Sequence, residues 1–340
     1  MKILKRILLV LLLLILIPIV IIFGLRGVNH WRYKKLAAEQ QAVADPQTFL
    51  SAESGFTTTS IQEGTLNGYH LKPTDPQHVG LVVTFGGSEG SPNQMLAAAI
   101  AKQGYEVLAL TFFGQPNQQA TLSEIPLDFF SEVLDYAQAH GLNTETLTVI
   151  GNSKGAELTA NLAILYPEID NIVLYAPSAY NYTGLDFEKQ AGSWTYGGEE
   201  LPYLNFRDGD FGASMKMMWQ MMTGAPVAYR PTYEILSEKA SNREAARIPI
   251  ETFKGNALIF AGGKDLMWQS ERAAEEIGKA LGDRAEVHIY PEAGHIFRPY
   301  TVVASDFGVL AIGGDEEANR KAGAESDRIL SERLALWHSK

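Results

Sequence analysis

The sequence predicts an α/β fold in which a mostly parallel, doubly wound sheet is preceded by one membrane-spanning helix. An uncharged run rich in Leu and Ile fills residues 7–25. After it, short apolar runs alternate with helical patterns, which is typical of parallel strands joined by helices. One of these runs, 146–150, leads directly into the pentapeptide Gly-Asn-Ser-Lys-Gly at 151–155 and then into a helical pattern.

Composition and charge narrow the class of protein. The 340 residues are 46 % hydrophobic and include no cysteine. This is enough for one large core or a core with an insertion, and it excludes a disulfide scaffold, a thiolate metal site and a cysteine nucleophile. The first 35 residues hold seven Lys and Arg and no acid, so residues 36–340 hold 21 Lys and Arg against 39 Asp and Glu, a net charge of −18. We predict no nucleic-acid partner, because phosphate contacts need clustered cations.

The first 48 residues predict a membrane anchor and a tether. A basic segment, 1–6, precedes the apolar run at 7–25, which at ~1.5 Å per residue spans roughly a bilayer core. No small-x-small cleavage site follows, so we expect an uncleaved, single-pass signal anchor; a cleaved signal peptide or a buried soluble helix are the alternatives. Residues 26–48 are the predicted juxtamembrane tether. Positive charges flank both sides almost equally. Since a single N-terminal anchor most often leaves its domain outside, we expect the domain that follows to be extracytoplasmic, at the cell membrane.

Residues 49–340 are the predicted α/β domain, and its elements follow in order. A hairpin at 56–71 feeds the sheet. Continuous apolar runs, the mark of strands buried on both faces, alternate with helices whose apolar positions recur every three or four residues. Before the insertion we predict strands at 79–85, 105–110, 146–150 and 171–175 and helices at 92–103, 126–140 and 156–165. After it we predict strands at 257–261 and 286–290 and helices at 270–281 and 318–337.

The α/β rhythm breaks at about 180–250, where we predict a lid inserted over the strand ends. The segment is rich in aromatic residues and holds a methionine cluster at 215, 217, 218, 221 and 222. Such residues form adaptable walls around acyl chains, but they are equally typical of a lid's own core. Both interpretations stay open.

The pentapeptide at 151–155 has the pattern Gly-x-Ser-x-Gly. Between a strand and a helix, this pattern forms a nucleophile elbow, a sharp turn that exposes the serine at the strand end. Gly151 and Gly155 supply the room, because a Cβ there would crowd the neighbouring backbone. We expect Ser153 to be a nucleophile; an ordinary turn in which Ser153 caps the helix is the alternative.

A serine nucleophile needs a base to take its proton and an acid to orient that base. Asp265 and His295 follow Ser153, each just past a predicted strand. This is the chain order of the α/β-hydrolase fold, and active sites of open parallel sheets form at that edge. We therefore predict a catalytic triad of Ser153, Asp265 and His295.

His295 and Asp265 each have an alternative interpretation, and other residues could take their roles. His295 could be a loop histidine bonded to backbone, and Asp265 could only cap the helix near Ser270 or stabilise its turn. Asp208 and Asp210 are rival acids, although no strand precedes them. The competing histidines occupy weaker positions, inside a strand pattern, at a helix end, before the first long strand or near the termini: His288, His140, His70, His78, His30 and His338.

An oxyanion hole needs two fixed N–H donors. One should be the backbone N–H of Lys154, and the other should come from Gly87 or Ser88 in the loop after the first core strand. A plain turn is the alternative for residues 86–87. We predict neither a metal nor a cofactor, because no histidine pair or carboxylate cluster has ligand spacing and residues 86–90 lack the ending of a P-loop.

The chain resembles the catalytic domain of the acyl-CoA thioesterase and bile acid-CoA:amino acid N-acyltransferase family, in the α/β-hydrolase superfamily. The resemblance runs from about 79 to 337 and is carried by FGG at 85–87, GYEVLAL at 104–110, IPLDFF at 125–130, GNSKGAEL at 151–158, WTY at 194–196, LPYL at 201–204, WQS at 268–270, PEAGH at 291–295 and GG at 313–314. It implies a Ser or Cys nucleophile with Asp and His partners acting on acyl thioesters. By position these are Ser153, Asp265 and His295.

The chain also departs from the family. Only about 30 residues, 49–79, precede the first core strand, so we expect the usual N-terminal β-sandwich domain to be missing and a membrane anchor to stand in its place. Coenzyme A is not an obvious substrate for an outward-facing domain. An acidic body offers its phosphates few cations, of which Lys154, Lys216, Arg230 and Arg243 are candidates.

The leading hypothesis is a membrane-anchored serine hydrolase that cleaves a small-molecule acyl ester or acyl thioester through an acyl-serine intermediate. An acyltransferase that passes the acyl group to an amine or alcohol is the enzymatic alternative. A non-catalytic binding protein that kept the fold is the third. The sequence makes no prediction of oligomeric state.

Overall fold

The computed structural model describes residues 2–44, 55–186, 188–305 and 308–340. Helix α1 (Lys2–Ala44) runs without interruption through both the predicted anchor and most of the predicted tether. Its mean hydropathy reaches 3.5 in a window of which no residue is buried, so it is long and apolar enough to cross a membrane. An N-terminal signal sequence has the same properties. The expected start of the domain at residue 49 lies outside the described residues.

The centre of the molecule is an eight-stranded sheet in the order β1-β2-β4-β3-β6-β7-β10-β11. Its strands are β1 (Phe56–Glu63), β2 (Leu66–Pro73), β3 (Leu81–Phe85), β4 (Glu106–Thr111), β6 (Leu147–Asn152), β7 (Asn171–Tyr175), β10 (Asn256–Gly262) and β11 (Ala285–Tyr290). The pairs from β4 to β11 are parallel, whereas the β1–β2 hairpin joins β4 through an antiparallel pair. The mostly parallel α/β fold predicted from the sequence is confirmed.

Helices cover both faces of the sheet, and this is why its central strands are apolar throughout. All five residues of β3 are buried. Helix α3 (Phe129–Ala139), α4 (Lys154–Leu165) and α8 (Ser270–Leu281) pack on one core, while α2 (Gln94–Ala101) and α9 (Glu316–Trp337) pack on the other. The carboxyl ends of the parallel strands consequently meet at one edge of the sheet. The loops that follow β3 and β6 are neighbours there, and the loop that follows β10 lies one strand further along, beyond β7.

The segment 180–250 holds short elements only. A small sheet, in the order β5-β8-β9, joins β5 (Ile125–Pro126) to β8 (Trp194–Tyr196) and β9 (Glu199–Glu200). Helices α5 (Phe211–Thr223), α6 (Arg230–Lys239) and α7 (Arg243–Ala246) follow. Thr223 is the buried residue of α5, so its methionines are half-buried or exposed and do not form a lid core.

A hairpin outside the predicted lid has no counterpart among the elements predicted from the sequence. Strands β12 (Val302–Ser305) and β13 (Gly308–Ala311) form an antiparallel hairpin between the predicted histidine and the last helix. Val227, between α5 and α6 in the predicted lid, pairs with this hairpin through Val309 and Ala311. Four-residue strands are too short for alternation of polar and apolar residues to be recognised, and their partners are distant in sequence.

Candidate active site

Ser153 lies at the turn between β6 and α4 and has an unusual backbone. Its φ of 54° and ψ of −118° place a non-glycine residue in a strained region, a feature that clusters at functional sites. Its side chain makes no capping hydrogen bond to α4, so the alternative of a helix cap does not describe it. Its N–H donates to the Tyr175 carbonyl of β7 at 2.9 Å, which ties the turn to the neighbouring strand.

The two glycines of the pentapeptide are required by close backbone approach. A Cβ on Gly151 would lie 2.0 Å from the Gly155 carbonyl oxygen. A Cβ on Gly155 would lie 1.9 Å from the Gly86 carbonyl oxygen. The elbow therefore packs against the loop after β3, which is the loop expected to contribute an oxyanion donor.

The structure brings Ser153, Asp265 and His295 into one hydrogen-bonded chain. His295 Nδ1 lies 2.7 Å from Asp265 Oδ2, and a carboxylate can only accept, so Nδ1 donates. The neutral ring then accepts through Nε2, which lies 2.8 Å from the Ser153 hydroxyl oxygen. Asp265 is fully buried and His295 is 8 % exposed, so the pair is shielded from water while Ser153 is half-buried.

Asp265 also stabilises its own turn, as the alternative interpretation expected. Its Oδ1 accepts from the Met267 and Trp268 amides at 2.7 and 3.2 Å, and its Oδ2 accepts from the Ser270 hydroxyl at 2.6 Å. These donors fix the carboxylate so that Oδ2 points at the imidazole. The structural role and the orienting role are held by the same side chain.

The rival residues have other partners. Asp210 caps α5 by accepting from the Ala213 amide at 3.0 Å, and Asp208 lies in a short 3₁₀ turn. His288 bonds Glu286 within β11, and His140 bonds a carbonyl at the end of α3. None of these four is hydrogen-bonded to Ser153.

Of the expected oxyanion donors, Gly87 lies beside Ser153 and Lys154 follows it directly in the chain, but the Gly87 amide has a partner. A Cβ on Gly87 would lie 3.2 Å from the Ser153 Cβ, so this loop flanks Ser153. The Gly87 N–H donates to Glu89 Oε1 at 2.9 Å, and Glu89 is exposed. The Lys154 N–H begins α4, where helix amides have no acceptor within the helix. Glu89 was not anticipated from the sequence, and a substrate oxygen at Gly87 would have to displace its carboxylate.

Lys154 and Glu157 form a buried ion pair directly behind the elbow. The Lys154 ammonium donates to Glu157 Oε2 at 2.9 Å and to the Ser193 hydroxyl at 2.8 Å. Glu157 Oε1 accepts from the Trp194 indole at 2.8 Å and the Tyr182 amide at 3.1 Å. Burial lowers the pKa of Lys154, and the Glu157 carboxylate opposes this by favouring the ammonium.

The ion pair excludes the expected phosphate contact of Lys154 and gives this residue a structural role that the sequence did not indicate. Lys154 is 2 % exposed, so its side chain cannot bind a substrate phosphate. Its charge instead joins the nucleophile helix to residues at the start of the insertion. Glu157 follows Ser153 by one helical turn, a position that could have drawn attention to it, but its partners are distant in sequence.

Arg230 at the start of α6 links the predicted lid to Asp265. Its guanidinium donates to the Asp265 carbonyl at 2.9 Å and pairs with Glu271 of α8 and Glu234 of α6. Arg243 donates to the Tyr180 hydroxyl at 2.8 Å. Three of the four cations proposed for phosphate binding, Lys154, Arg230 and Arg243, thus already have partners, and Lys216 is exposed on α5.

A family model described as BAAT / Acyl-CoA thioester hydrolase C terminal matches residues 125–322, more than half of the chain. The chain belongs to this family. The resemblance inferred from the sequence is confirmed. The matched segment includes Ser153, Asp265 and His295 and the whole insertion.

The family's characterised members are distant in sequence. Human acyl-coenzyme A thioesterase 1 is 25 % identical over 251 residues, which cover 72 % of this chain and 55 % of that protein. Mouse acyl-coenzyme A amino acid N-acyltransferase 1 is similar to the same extent over the same shares. The chain spans about half the length of the curated relatives it matches. Both hydrolases and acyl-transferring enzymes occur among them.

Solved structures support the fold. An esterase from Pyrococcus furiosus superimposes with a TM-score of 0.50 at 14 % identity, covering 84 % of this chain and 93 % of that one. Carboxyl esterase 2 from Tuber melanosporum gives 0.50 at 13 % identity, covering 84 % and 87 %. At this identity the likeness shows the fold alone, and the α/β-hydrolase class predicted from the sequence is confirmed.

Proposed function

We propose that the chain is a membrane-anchored serine hydrolase that cleaves an acyl ester or acyl thioester through an acyl-Ser153 intermediate. The observation that carries the proposal is the unbroken chain of hydrogen bonds from the Ser153 hydroxyl through His295 to Asp265. Its members meet at the sheet edge where catalysis in this class of fold takes place. Membership of a family named for acyl-CoA thioester hydrolysis supports the same chemistry.

In the acylation step, Ser153 Oγ attacks the acyl carbonyl carbon while its proton passes to His295 Nε2. The backbone N–H of Lys154, with that of Gly87 or Ser88, would stabilise the oxyanion. When the tetrahedral intermediate collapses, the bond to the leaving oxygen or sulfur breaks and Nε2 returns the proton to that group. Asp265 holds the ring in the orientation that both transfers need and stabilises the imidazolium.

Deacylation repeats the sequence with water. His295 takes a proton from the water, the resulting hydroxide attacks the acyl carbon, and Ser153 Oγ leaves with the proton. The products are a carboxylic acid and the free hydroxyl of Ser153. The buried Asp265–His295 pair keeps the base in place throughout.

An acyl ester or a simple thioester is a better-supported substrate than an acyl group on coenzyme A. Lys154 is buried, and Arg230 and Arg243 are already hydrogen-bonded. A nucleotide's phosphates would have to break those contacts or use exposed cations, which in water give little binding energy per pair. The apolar lid suits an acyl chain better than it suits a polyphosphate.

The anchor and its orientation belong to the same proposal. We infer that residues 7–25 of α1 span the cell membrane, that 26–48 connect to a catalytic domain at 49–340, and that this domain is extracytoplasmic. The long, unburied apolar run of α1 supports the anchor. Digestion of sealed vesicles with a protease added outside tests the orientation, because only an outward domain is cleaved.

A fluorophosphonate probe tests the nucleophile directly. It should label the wild-type chain, should not label Ser153→Ala, and should label Ser331→Ala, a surface control on α9, like the wild type. Circular dichroism should show that Ser153→Ala is folded. Equal labelling of Ser153→Ala, or no labelling of a folded wild type, would overturn the acyl-serine mechanism.

A panel of p-nitrophenyl esters and acyl-CoA thioesters of matched chain length tests the leaving group. We expect turnover of the esters with a dependence on chain length. Turnover of acyl-CoA with a kcat/KM above that of the matched ester would show that coenzyme A is recognised, and would contradict our preference.

Acyl transfer to an amine or alcohol is the second candidate, favoured by the similarity to the mouse amino acid N-acyltransferase. The two reactions share the acyl-enzyme and differ only in the acceptor. Product analysis with added glycine, taurine or glycerol separates them. A conjugate that forms faster than the free acid identifies a transferase.

A further inference from the structure

Helix α5 of the lid exposes a continuous apolar face. Five of its residues are 79, 43, 45, 47 and 42 % exposed, and we call them the apolar stripe: Phe211, Met215, Met218, Trp219 and Met222. Their spacing of four, three, one and three residues places them on one side of the helix. An exposed face of this kind marks a surface that contacts something other than water.

Helix α1 is docked on the same part of the molecule. Asn29 Nδ2 donates to the Thr223 carbonyl, at the end of α5, at 3.0 Å. Eleven residues later, Gln40 donates to the Val302 carbonyl and accepts from the Ala304 amide, at 3.0 and 2.9 Å. The partly buried residues of this stretch are spaced as one helical face: 29, 33, 36, 37 and 40. Two polar contacts about 16 Å apart thus hold the catalytic body against α1.

These contacts fix how far α5 lies from the membrane that α1 is proposed to cross. The apolar run ends at Leu25, four residues or about 6 Å before Asn29 along the helix axis. The headgroup layer on each side of a bilayer core is about 5–8 Å thick. A Cβ on Gly224 would lie 3.7 Å from both Arg26 and Asn29, which places the end of α5 against the first turn beyond the run. The carboxyl end of α5 therefore lies at headgroup depth.

We propose that the apolar stripe is a lipid-contacting surface that enters the headgroup–acyl boundary of the membrane crossed by α1. This rests on the membrane anchoring in the proposed function. Trp, Phe and Met on one helix face are the composition of helices that lie in that boundary, and Trp is favoured there. The acidic body would be repelled by anionic headgroups, so the stripe and the cations of 26–35 supply the attraction.

A lid that contacts lipid lies beside the bilayer, where an acyl substrate can reside. Seven residues after Thr223, Arg230 donates to the Asp265 carbonyl, so the lid connects the membrane surface to the acid of the triad. An acyl substrate that resides in the bilayer would reach Ser153 along a lid that already contacts lipid. A second copy of the chain or another protein on the stripe are the competing occupants.

The absence of cysteine makes the test clean, because a single introduced cysteine is the only site for a nitroxide label. We would label Met218→Cys and Met222→Cys on the stripe, Lys216→Cys as the matched position on the same helix, and Leu14→Cys in the apolar run. The full chain would be reconstituted in phosphatidylcholine–phosphatidylglycerol nanodiscs. Collision with O₂, which partitions into lipid, is compared with collision with a water-soluble nickel chelate by electron paramagnetic resonance.

The expected result is an O₂-to-nickel ratio at 218 and 222 several-fold above that at 216, and highest at 14. Ratios at 218 and 222 equal to that at 216, with 14 deep, would overturn the lipid contact while the anchor stands. Protection of 218 and 222 from both reagents would overturn it in favour of a protein occupant. A water-accessible label at 14 would overturn the anchor and the lipid contact together. Turnover of a p-nitrophenyl ester by the same samples reports separately on the hydrolase proposal.

Discussion

Helices α4 and α5 differ in how much of their surface is buried. Helix α4 begins directly after Ser153, and α5 belongs to the predicted lid. Residues 154–163 of α4 are all buried, including an ion pair, whereas Thr223 is the buried residue of α5. The first is fixed by the sheet and by hydrogen bonds to the insertion. The second offers methionine and aromatic side chains to its surroundings. The helix that carries the proposed nucleophile is therefore rigid, whereas α5 presents adaptable side chains, and this combination suits the proposed cleavage of acyl esters.

The largest expected effect is a loss of kcat on substitution of Asp265, at the edge of the sheet, compared with substitution of Asp210 in the predicted lid. Asp265→Asn should lower kcat on a p-nitrophenyl ester by about 10⁴-fold, because the amide no longer holds the required imidazole tautomer. Asp210→Asn, at the cap of α5, should change kcat less than about two-fold, since capping by Asn is nearly as good. Steady-state kinetics on both variants checks this. Similar losses in the two would mean that the acid was assigned to the wrong region.

The buried ion pair between Lys154 and Glu157, behind the elbow, should contribute strongly to the stability of the folded protein. Glu157→Gln leaves the Lys154 ammonium buried without a counter-charge, which should cost about 3–5 kcal/mol in the free energy of unfolding. Lys154→Met combined with Glu157→Gln should recover much of this, because the buried charge is gone and an acceptor for the Trp194 indole remains. Urea unfolding of the two single variants and the double variant closes the cycle. If the double variant is as unstable as the sum of the singles, the pair is not coupled.

Truncation of one apolar side chain on each helix compares directly how much α4 and α5 contribute to stability. Leu158→Ala in α4 should cost about 2–5 kcal/mol in the free energy of unfolding, since it opens a cavity in the core. Met218→Ala in α5 should stay within about 0.5 kcal/mol. Thermal unfolding by circular dichroism measures both. A large loss for Met218→Ala would show that the stripe packs against protein.

The smallest expected effect is a dependence of thermal stability on pH that arises from the buried side chain of His338. Burial lowers the pKa of His338 from 6.5. The ring is hydrogen-bonded to the Val79 carbonyl and the Thr148 hydroxyl. The hydrogen bond to Val79 and the nearby Asp170 raise this pKa, and the charge of His78 lowers it further.

With a depressed pKa in the folded state, the stabilising contribution of neutral His338 is fully present above about 6.5 and is lost as the pH falls through the folded-state pKa. The Tm of the wild type should therefore fall below pH 6.5 more steeply than that of His338→Gln. Parallel Tm–pH slopes for the two proteins would contradict this origin. His78 also has a pKa lowered by burial, so His78→Gln is the variant that apportions the remaining slope.

The parts of the molecule predicted well from the sequence are those specified by local patterns. The helix at 270–281 and the strand at 171–175 have the observed bounds because their apolar periodicity is unambiguous. The elbow was recognisable because glycines flank Ser153 at positions where a Cβ would meet backbone. Asp265 and His295 were chosen because each follows a strand, and parallel strands bring their carboxyl ends to one edge.

The contacts that could not be predicted are those between segments far apart in the chain. Glu157 meets Trp194 and Tyr182, Arg230 meets Asp265, and Asn29 meets Thr223 across 194 residues. No local pattern encodes such pairs, because they depend on how the insertion and α1 dock once the sheet has formed. The β12–β13 hairpin that receives α1 was missed for the same reason.

The sequence by itself determined the α/β class, the family, the order of the candidate triad and the apolar helix at the amino terminus, since each is written in spacing and composition. Only the tertiary structure decided that Lys154 is held in a buried ion pair, that Glu89 accepts from the Gly87 amide, and that Met215, Met218 and Met222 are exposed. Burial and partnership are properties of three-dimensional packing. The same methionine pattern is compatible with a core or a surface until its neighbours are in place.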